Sequence, residues 1–198
     1  MKLNIYEYFL IISPNQKICE LIMPYKQHFT KKYGCTMADI FKPHISIMNC
    51  LQSSYWETRL IENLKRFGKT VEPFKAELNG IGQFPNTVFV DIFNKYHLVQ
   101  IITELSQFTN PLLYKPQFHK TPHISIARGM TAEQHALAWT DWQNHEIGAS
   151  FEVNELTLLR RPINTKRIRK FDKIATIPFT GEEIAIQQLS LDFETIFK

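Results

Sequence analysis

Cysteine is scarce in this chain: 198 residues contain only Cys19, Cys35 and Cys50. Three is an odd number and no Cys-x-x-Cys pair occurs, which excludes a disulfide framework and a thiolate zinc site and fits reduced thiols. Glycine is also thin, at seven residues. Gly80 and Gly82 begin what would be a dinucleotide fingerprint, but the third glycine and the following helix are missing. No serine sits in a Gly-x-Ser-x-Gly elbow, so a serine nucleophile is not expected. Long apolar runs are absent as well. The N-terminal "MKLNIYEYFLIISP" offers only Phe9–Ile12, with Glu7 just ahead of it, which is poor material for a signal peptide. Nothing approaches membrane-spanning length, so the expectation is a cytoplasmic protein with no membrane partner.

What the chain has is the composition of a folded domain, 44% hydrophobic and 21% charged, with a formal charge of +4 that mildly favours anionic partners. It also has a repeat. "PHISI" stands at Pro43–Ile47 and again at Pro122–Ile126, with the two histidines 79 positions apart (123 − 44). Applied elsewhere, that offset carries secondary-structure patterns along with it. "YFLIIS" (Tyr8–Ser13) maps onto "TVFVDI" (Thr87–Ile92), and both read as strands. Each is followed by a helical stripe: Ile18, Leu21, Ile22 and Tyr25 in one copy, Leu98, Ile101, Ile102, Leu105 and Phe108 in the other. Pro24 is expected to kink or end the first of these helices early. Behind each PHISI a second helix opens on a capping-box pattern, Ser54-x-x-Glu57 and Thr131-x-x-Gln134. "FKAELNGI" (Phe74–Ile81) then maps onto "VNELTLLR" (Val153–Arg160).

Each half thus reads β-α-β-α-β. The expected fold is α+β and bilobal, with duplicated units related by a pseudo-two-fold axis and antiparallel-rich sheets flanking a central groove. Residues 1–180 form one domain, with repeats at about 6–81 and 85–160, a crossing at Gly82–Asn86 and a final strand at 171–179. Residues 181–198 are a tail.

Side chains alternate across a strand, so His44 and Ser46 share one face while Ile45 and Ile47 share the other. His123 and Ser125 repeat this against Ile124 and Ile126. With the isoleucines buried against helices, two histidines and two serines face one groove. Around neutral pH one imidazole can take a proton while the other gives one, and hydroxyls can bind non-bridging oxygens where charge accumulates. That set suits displacement at a phosphodiester and calls for no cofactor. His119 and His123 lie four apart, but Pro122 between them and the strand register speak against a metal site.

Paired Pro-His-x-Ser motifs in two halves of such a chain resemble the two-histidine phosphoesterase superfamily, which includes RNA 2′,5′-ligase-like proteins and 2′,3′-cyclic phosphodiesterases. The resemblance covers about residues 6–179. It implies catalytic roles for His44 and His123 and phosphate binding by Ser46 and Ser125. It also implies action on 2′,3′-cyclic or 2′,5′-phosphoester bonds of RNA or nucleotides. Arg128 matches an arginine that relatives place after the motif. A non-catalytic module holding an RNA end or nucleotide in the same groove is the alternative.

Further substrate contacts are expected from Tyr8 and Phe84, as stacking surfaces, and from Arg160, Arg161 and Arg167 in the basic run "RRPINTKRIRKFDK" (Arg160–Lys173). In the tail, "QLSLDF" (Gln188–Phe193) resembles peptides that dock on the sliding clamp, a weak signal for a protein partner. Otherwise a monomer is expected.

Overall fold

The computed structural model describes residues 4–36, 38–109, 113–163 and 170–182. Arg167 and the Gln188–Phe193 peptide therefore lie outside the described residues. Nine strands and four helices follow one another as β1 (Ile5–Ile12), α1 (Gln16–Tyr33), β2 (Ile45–Ser53), α2 (Glu57–Lys69), β3 (Phe74–Phe84), β4 (Thr87–Ile92), α3 (Tyr96–Thr109), β5 (Tyr114–Phe118), β6 (Ile124–Arg128), α4 (Ala132–Trp142), β7 (Gly148–Val153), β8 (Glu155–Pro162) and β9 (Asp172–Pro178). The fold is α+β, and the described strand pairs are all antiparallel. Strands β5 and β7 are additions to the β-α-β-α-β pattern, and β5 carries Pro116, whose missing N–H hides a short strand from sequence reading.

The strands run in the order β7-β3-β4-β6-β2-β1-β8-β9, with β5 beside β2. The halves of this sheet are not the sequence repeats 6–81 and 85–160. Strand β3, the last of the first repeat, pairs with β4 of the second, while β8, the last of the second, pairs with β1 of the first. Gly82–Asn86 is accordingly no crossing between lobes. It closes a hairpin in which Phe84 faces Thr87. Helices are exchanged too: α1 leaves β1 but packs on β6, β7 and α4, and α2 packs on β9 and α3. Each half of the molecule needs both repeats, so one apolar core runs through both.

Helix α1 starts at Asn15, whose side chain accepts from the Ile18 N–H, and it runs on through Pro24 to Tyr33. Proline in a helix interior costs ~3 kcal/mol. Here the burial of Phe29 and Tyr33 one and two turns further on offsets that cost, at about 1.5–3 kcal/mol for each large side chain. The capping box at Thr131 and Gln134 forms in full. The one expected at Ser54 and Glu57 does not. Ser53 instead caps a short 3-10 turn, and Glu57 turns inward to other partners.

The repeat also slips. Ser46 pairs with Ile11 of β1, and its twin Ser125 pairs with Phe89 of β4, so the first strands correspond at an offset of 78 (89 − 11) rather than 79. One residue of slip moves every side chain of a strand to the other face.

Candidate active site

The two PHISI strands meet. Ile45 of β2 and Ile124 of β6 are Cα partners, the rung that joins the two halves of the sheet. Ile45, Ile47, Ile124 and Ile126 are fully buried on the helix side. One residue either way along this antiparallel register sets His44 across from Ser125 and Ser46 across from His123. Side chains of directly opposed residues on one face have Cβ atoms about 5 Å apart. The four polar side chains thus form a compact quadrilateral, with like residues on its diagonals.

Both rings are anchored alike. His44 Nδ1 lies 2.8 Å from the Lys42 carbonyl oxygen, and His123 Nδ1 lies 2.7 Å from that of Thr121. A carbonyl only accepts, so each Nδ1 carries the proton and each neutral ring presents a basic Nε2. For His123 that nitrogen accepts from the Ser125 hydroxyl at 3.1 Å. Burial lowers the pKa of both imidazoles. The fields of Lys26, Arg128 and His123 lower that of His44 further, and Asp91 pulls His123 the other way.

Matching β-bulges follow the two serines. Between Ser46 and Met48, and between Ser125 and Ala127, one residue is skipped in pairing with the neighbouring strand, leaving Ile47 and Ile126 as the extra residues. Aromatic rings flank the quadrilateral on both sides. Phe9 meets His44 edge-on with centroids 5.5 Å apart, while Phe84 and Phe89 lie 5.2 and 4.7 Å from the His123 ring. Phe89 lies over Gly82, where a Cβ would fall 2.3 Å from the ring.

A sequence profile of the 2′-5′ RNA ligase superfamily matches residues 14–164, a span that includes both motifs. The chain belongs to that superfamily. Among curated relatives of this superfamily member, an RNA 2′,3′-cyclic phosphodiesterase of Methanocaldococcus jannaschii is 26% identical over 125 residues, 61% of this chain and 69% of that protein. A putative phosphoesterase of Bacillus pumilus is 16% identical over 134 residues, 66% of this chain and 74% of that protein. Among solved structures, TT0787 of Thermus thermophilus superposes with a TM-score of 0.64 at 14% identity, covering 89% of this chain and 100% of that one. E. coli LigT complexed with 3′-AMP gives 0.63 at 17%, covering 88% and 98%. At these identities the structures speak for the fold. The superfamily supports phosphoesterase or RNA-ligase-like chemistry.

The remaining expected site residues of this superfamily member divide. Phe84 faces the groove beside His123. Arg161 pairs with Glu7 at 2.6 Å and lies over the Phe171 ring, on the strand face that Glu7 shares with Phe9. Arg128 is exposed, over the Phe41 ring, and its charge reaches His44 and His119. Tyr8 is not a stacking surface. It is fully buried on the helix side, and its hydroxyl donates to Glu57 at 3.0 Å. Arg160 goes with it, bonded to Glu57 at 2.6 Å and lying over the Tyr6 ring, so neither reaches the groove. The one-residue slip is the reason: the groove face of β1 carries Phe9, not Tyr8.

Two groups near the motifs escape sequence reading. His119, whose spacing from His123 across Pro122 speaks against a metal motif, bonds Asn49 through Nε2 at 2.9 Å and sits edge-on to Phe9. It has no twin in the repeat, since 79 positions earlier stands Ile40. Lys26 is buried beneath β6, although it falls on the apolar stripe of Ile18, Ile22, Phe29 and Tyr33, and a lysine on such a stripe is a signal that the sequence does carry.

Proposed function

We propose that this chain is a phosphoesterase acting on 2′,3′-cyclic phosphate or 2′,5′-phosphodiester bonds of RNA or nucleotides, through general acid–base catalysis by His44 and His123. One neutral imidazole takes the proton of an attacking water as its oxygen bonds to phosphorus. The other, protonated, gives its proton to the ribose oxygen as the phosphorus–oxygen bond to it breaks. Ser46 donates to a non-bridging oxygen, whose charge rises in the transition state, and Ser125 does the same once substrate draws its hydroxyl away from His123 Nε2. Both proton transfers come from the protein, so the reading calls for no metal. Phe84 and Phe89 on one side, and Phe9 on the other, offer faces to a base or ribose, and Arg128 and Arg161 carry charge for neighbouring phosphates.

The observation that carries this reading is the Ile45–Ile124 rung, which brings all four motif side chains to one face of one small patch. The name of the M. jannaschii relative and the nucleotide bound by E. coli LigT support the choice of substrate class. The test is turnover of 2′,3′-cyclic nucleotides, cyclic-phosphate-ended RNA and 2′,5′-oligonucleotides in EDTA. Turnover lost in His44→Ala or in His123→Ala is the expected result. A folded protein inert on all three, yet binding RNA ends with unchanged affinity after either substitution, would make it a binding module.

A further inference from the structure

Lys26 is a buried cation with no ionic partner among the described residues. Only 5% of it is exposed, and its Nζ donates to the Ser125 carbonyl at 2.9 Å and the Ile126 carbonyl at 3.4 Å. Among the described residues no carboxylate pairs with it. Asp39 and Arg128 are the charged groups whose fields reach it, and burial pulls its pKa down to about 8. A lone buried ammonium is costly in a fold, and apolar side chains fill such positions more cheaply.

The pseudo-symmetry shows what it replaces. Strand β1 covers one edge of β2 from Ile45 to Ser53, so β6 and β5 share the other edge. On that edge the carbonyl of the bulge residue Ile47 accepts from the His119 N–H at 3.0 Å. Strand β6 is covered by β4 on one edge and meets β2 on the other at Ile124. Among the described residues its bulge residue Ile126, the twin of Ile47, has no strand there to satisfy its carbonyl, and Lys26 reaches that carbonyl at 3.4 Å and the adjoining Ser125 carbonyl at 2.9 Å instead. One bulge is held by a neutral backbone amide, the other by a charged side chain from α1.

We infer that Lys26 is a positioning residue of this site: it clamps the Ser125–Ile126 bulge, which sets the aim of Ser125 and through it His123, and it lends the groove a positive charge from behind the sheet. The inference rests on the phosphoesterase reading for its purpose, not for its test. His44 is where the charge registers. The groups whose charge reaches that ring are Lys26 from α1, Arg128 from β6 and His123 just ahead of β6, and each favours its neutral form.

The experiment compares Lys26→Met, which keeps bulk but loses the charge, with Lys26→Arg, which keeps charge and donors. Imidazole titrations of His44 and His119 by NMR and binding of inorganic phosphate are the readouts, with turnover as a third. In Lys26→Met the His44 titration moves to higher pH while that of His119 stays, and phosphate affinity and kcat/KM each fall roughly tenfold, as for loss of one hydrogen bond to a charged group. Lys26→Arg recovers most of both. A folded Lys26→Met with unmoved His44 titration and unchanged phosphate affinity overturns the proposal, and so does a Lys26→Met that fails to fold while Lys26→Arg folds and titrates as wild type, since that makes the residue structural alone. Wild-type protein that neither binds phosphate nor turns over any substrate sinks the phosphoesterase reading instead, and the His44 titration still decides the field of Lys26.

Discussion

Ile45 lies opposite Ile124, in the middle of the two copies of one pentapeptide, and their pairing brings the two motifs side by side. Both side chains face the core, so the residues before and after them face the groove. The distance between the motifs is therefore set by strand spacing rather than by loops, with both serines on strands and each histidine one residue ahead of its strand.

In the proposed mechanism, substituting either imidazole removes one of two proton transfers. His44→Ala and His123→Ala should each lower kcat by about 10²–10⁴, with KM for a cyclic nucleotide little changed. The double variant should be little worse than either single, because the two rings act as one unit. Steady-state kinetics alongside circular dichroism checks this. Fully additive losses would show that the rings act independently.

Both imidazoles have lowered pKa values, because burial disfavours the charged ring. The proposed mechanism needs one ring protonated, and a lowered value means that proton is lost at lower pH than from a free imidazole. The alkaline limb of kcat/KM should thus fall below the ordinary histidine value of about 6.5. For stability the sign is the same for His44, His119 and His123, all depressed. Their contribution is present above the unfolded value and is lost as pH falls through the folded one. Urea midpoints measured from pH 8 downward should decline from about 6.5, and a flat profile there would contradict it.

Gly82 gives the Phe89 ring its place beside His123. A Cβ at this position would come within 2.3 Å of the ring, so Gly82→Ala must push Phe89 out of place. The overpacking should cost about 1–3 kcal/mol by urea unfolding and lower kcat/KM as well. Adding Phe89→Leu should recover part of the stability but not the activity. Wild-type stability in Gly82→Ala would mean that the ring is free to move.

Tyr8, Glu57 and Arg160 form a linked set on the helix side of β1. Burial, first, and the hydrogen bond to Glu57 raise the Tyr8 pKa well above that of a free phenol, so the hydroxyl stays protonated and donating. Tyr8→Phe should cost about 1 kcal/mol or somewhat more, since it leaves a partly buried carboxylate short of a donor. Affinity for nucleotides should not move. A drop in nucleotide affinity at unchanged stability would put Tyr8 back at the site.

The sequence was legible where a property is local and periodic. Alternation in PHISI put His44 and Ser46 on one face without any knowledge of the fold, the 79-residue offset found strands and helices, and the Thr-x-x-Gln pattern found the capping box at Thr131. It misled where a single residue of slip decides a face. Tyr8 and Phe9 are equally good aromatic neighbours on paper, and only the pairing of Ile11 with Ser46 shows that Phe9 is the one in the groove. Glu57 fits a helix cap as well as it fits a half-buried partner for Arg160, and long-range packing chose the second.

By itself, then, the sequence determined the repeat, the element types and the four polar residues, because side-chain alternation and hydrophobic spacing are properties of the chain alone. Tertiary structure decided that the two copies exchange β3 and β8, that His119 and Lys26 stand beside the motifs, and that Tyr8 and Arg160 do not. Those outcomes depend on which strand edges and carbonyls find partners far away in the chain, and local pattern marks only Lys26 among them, as a cation on an apolar stripe.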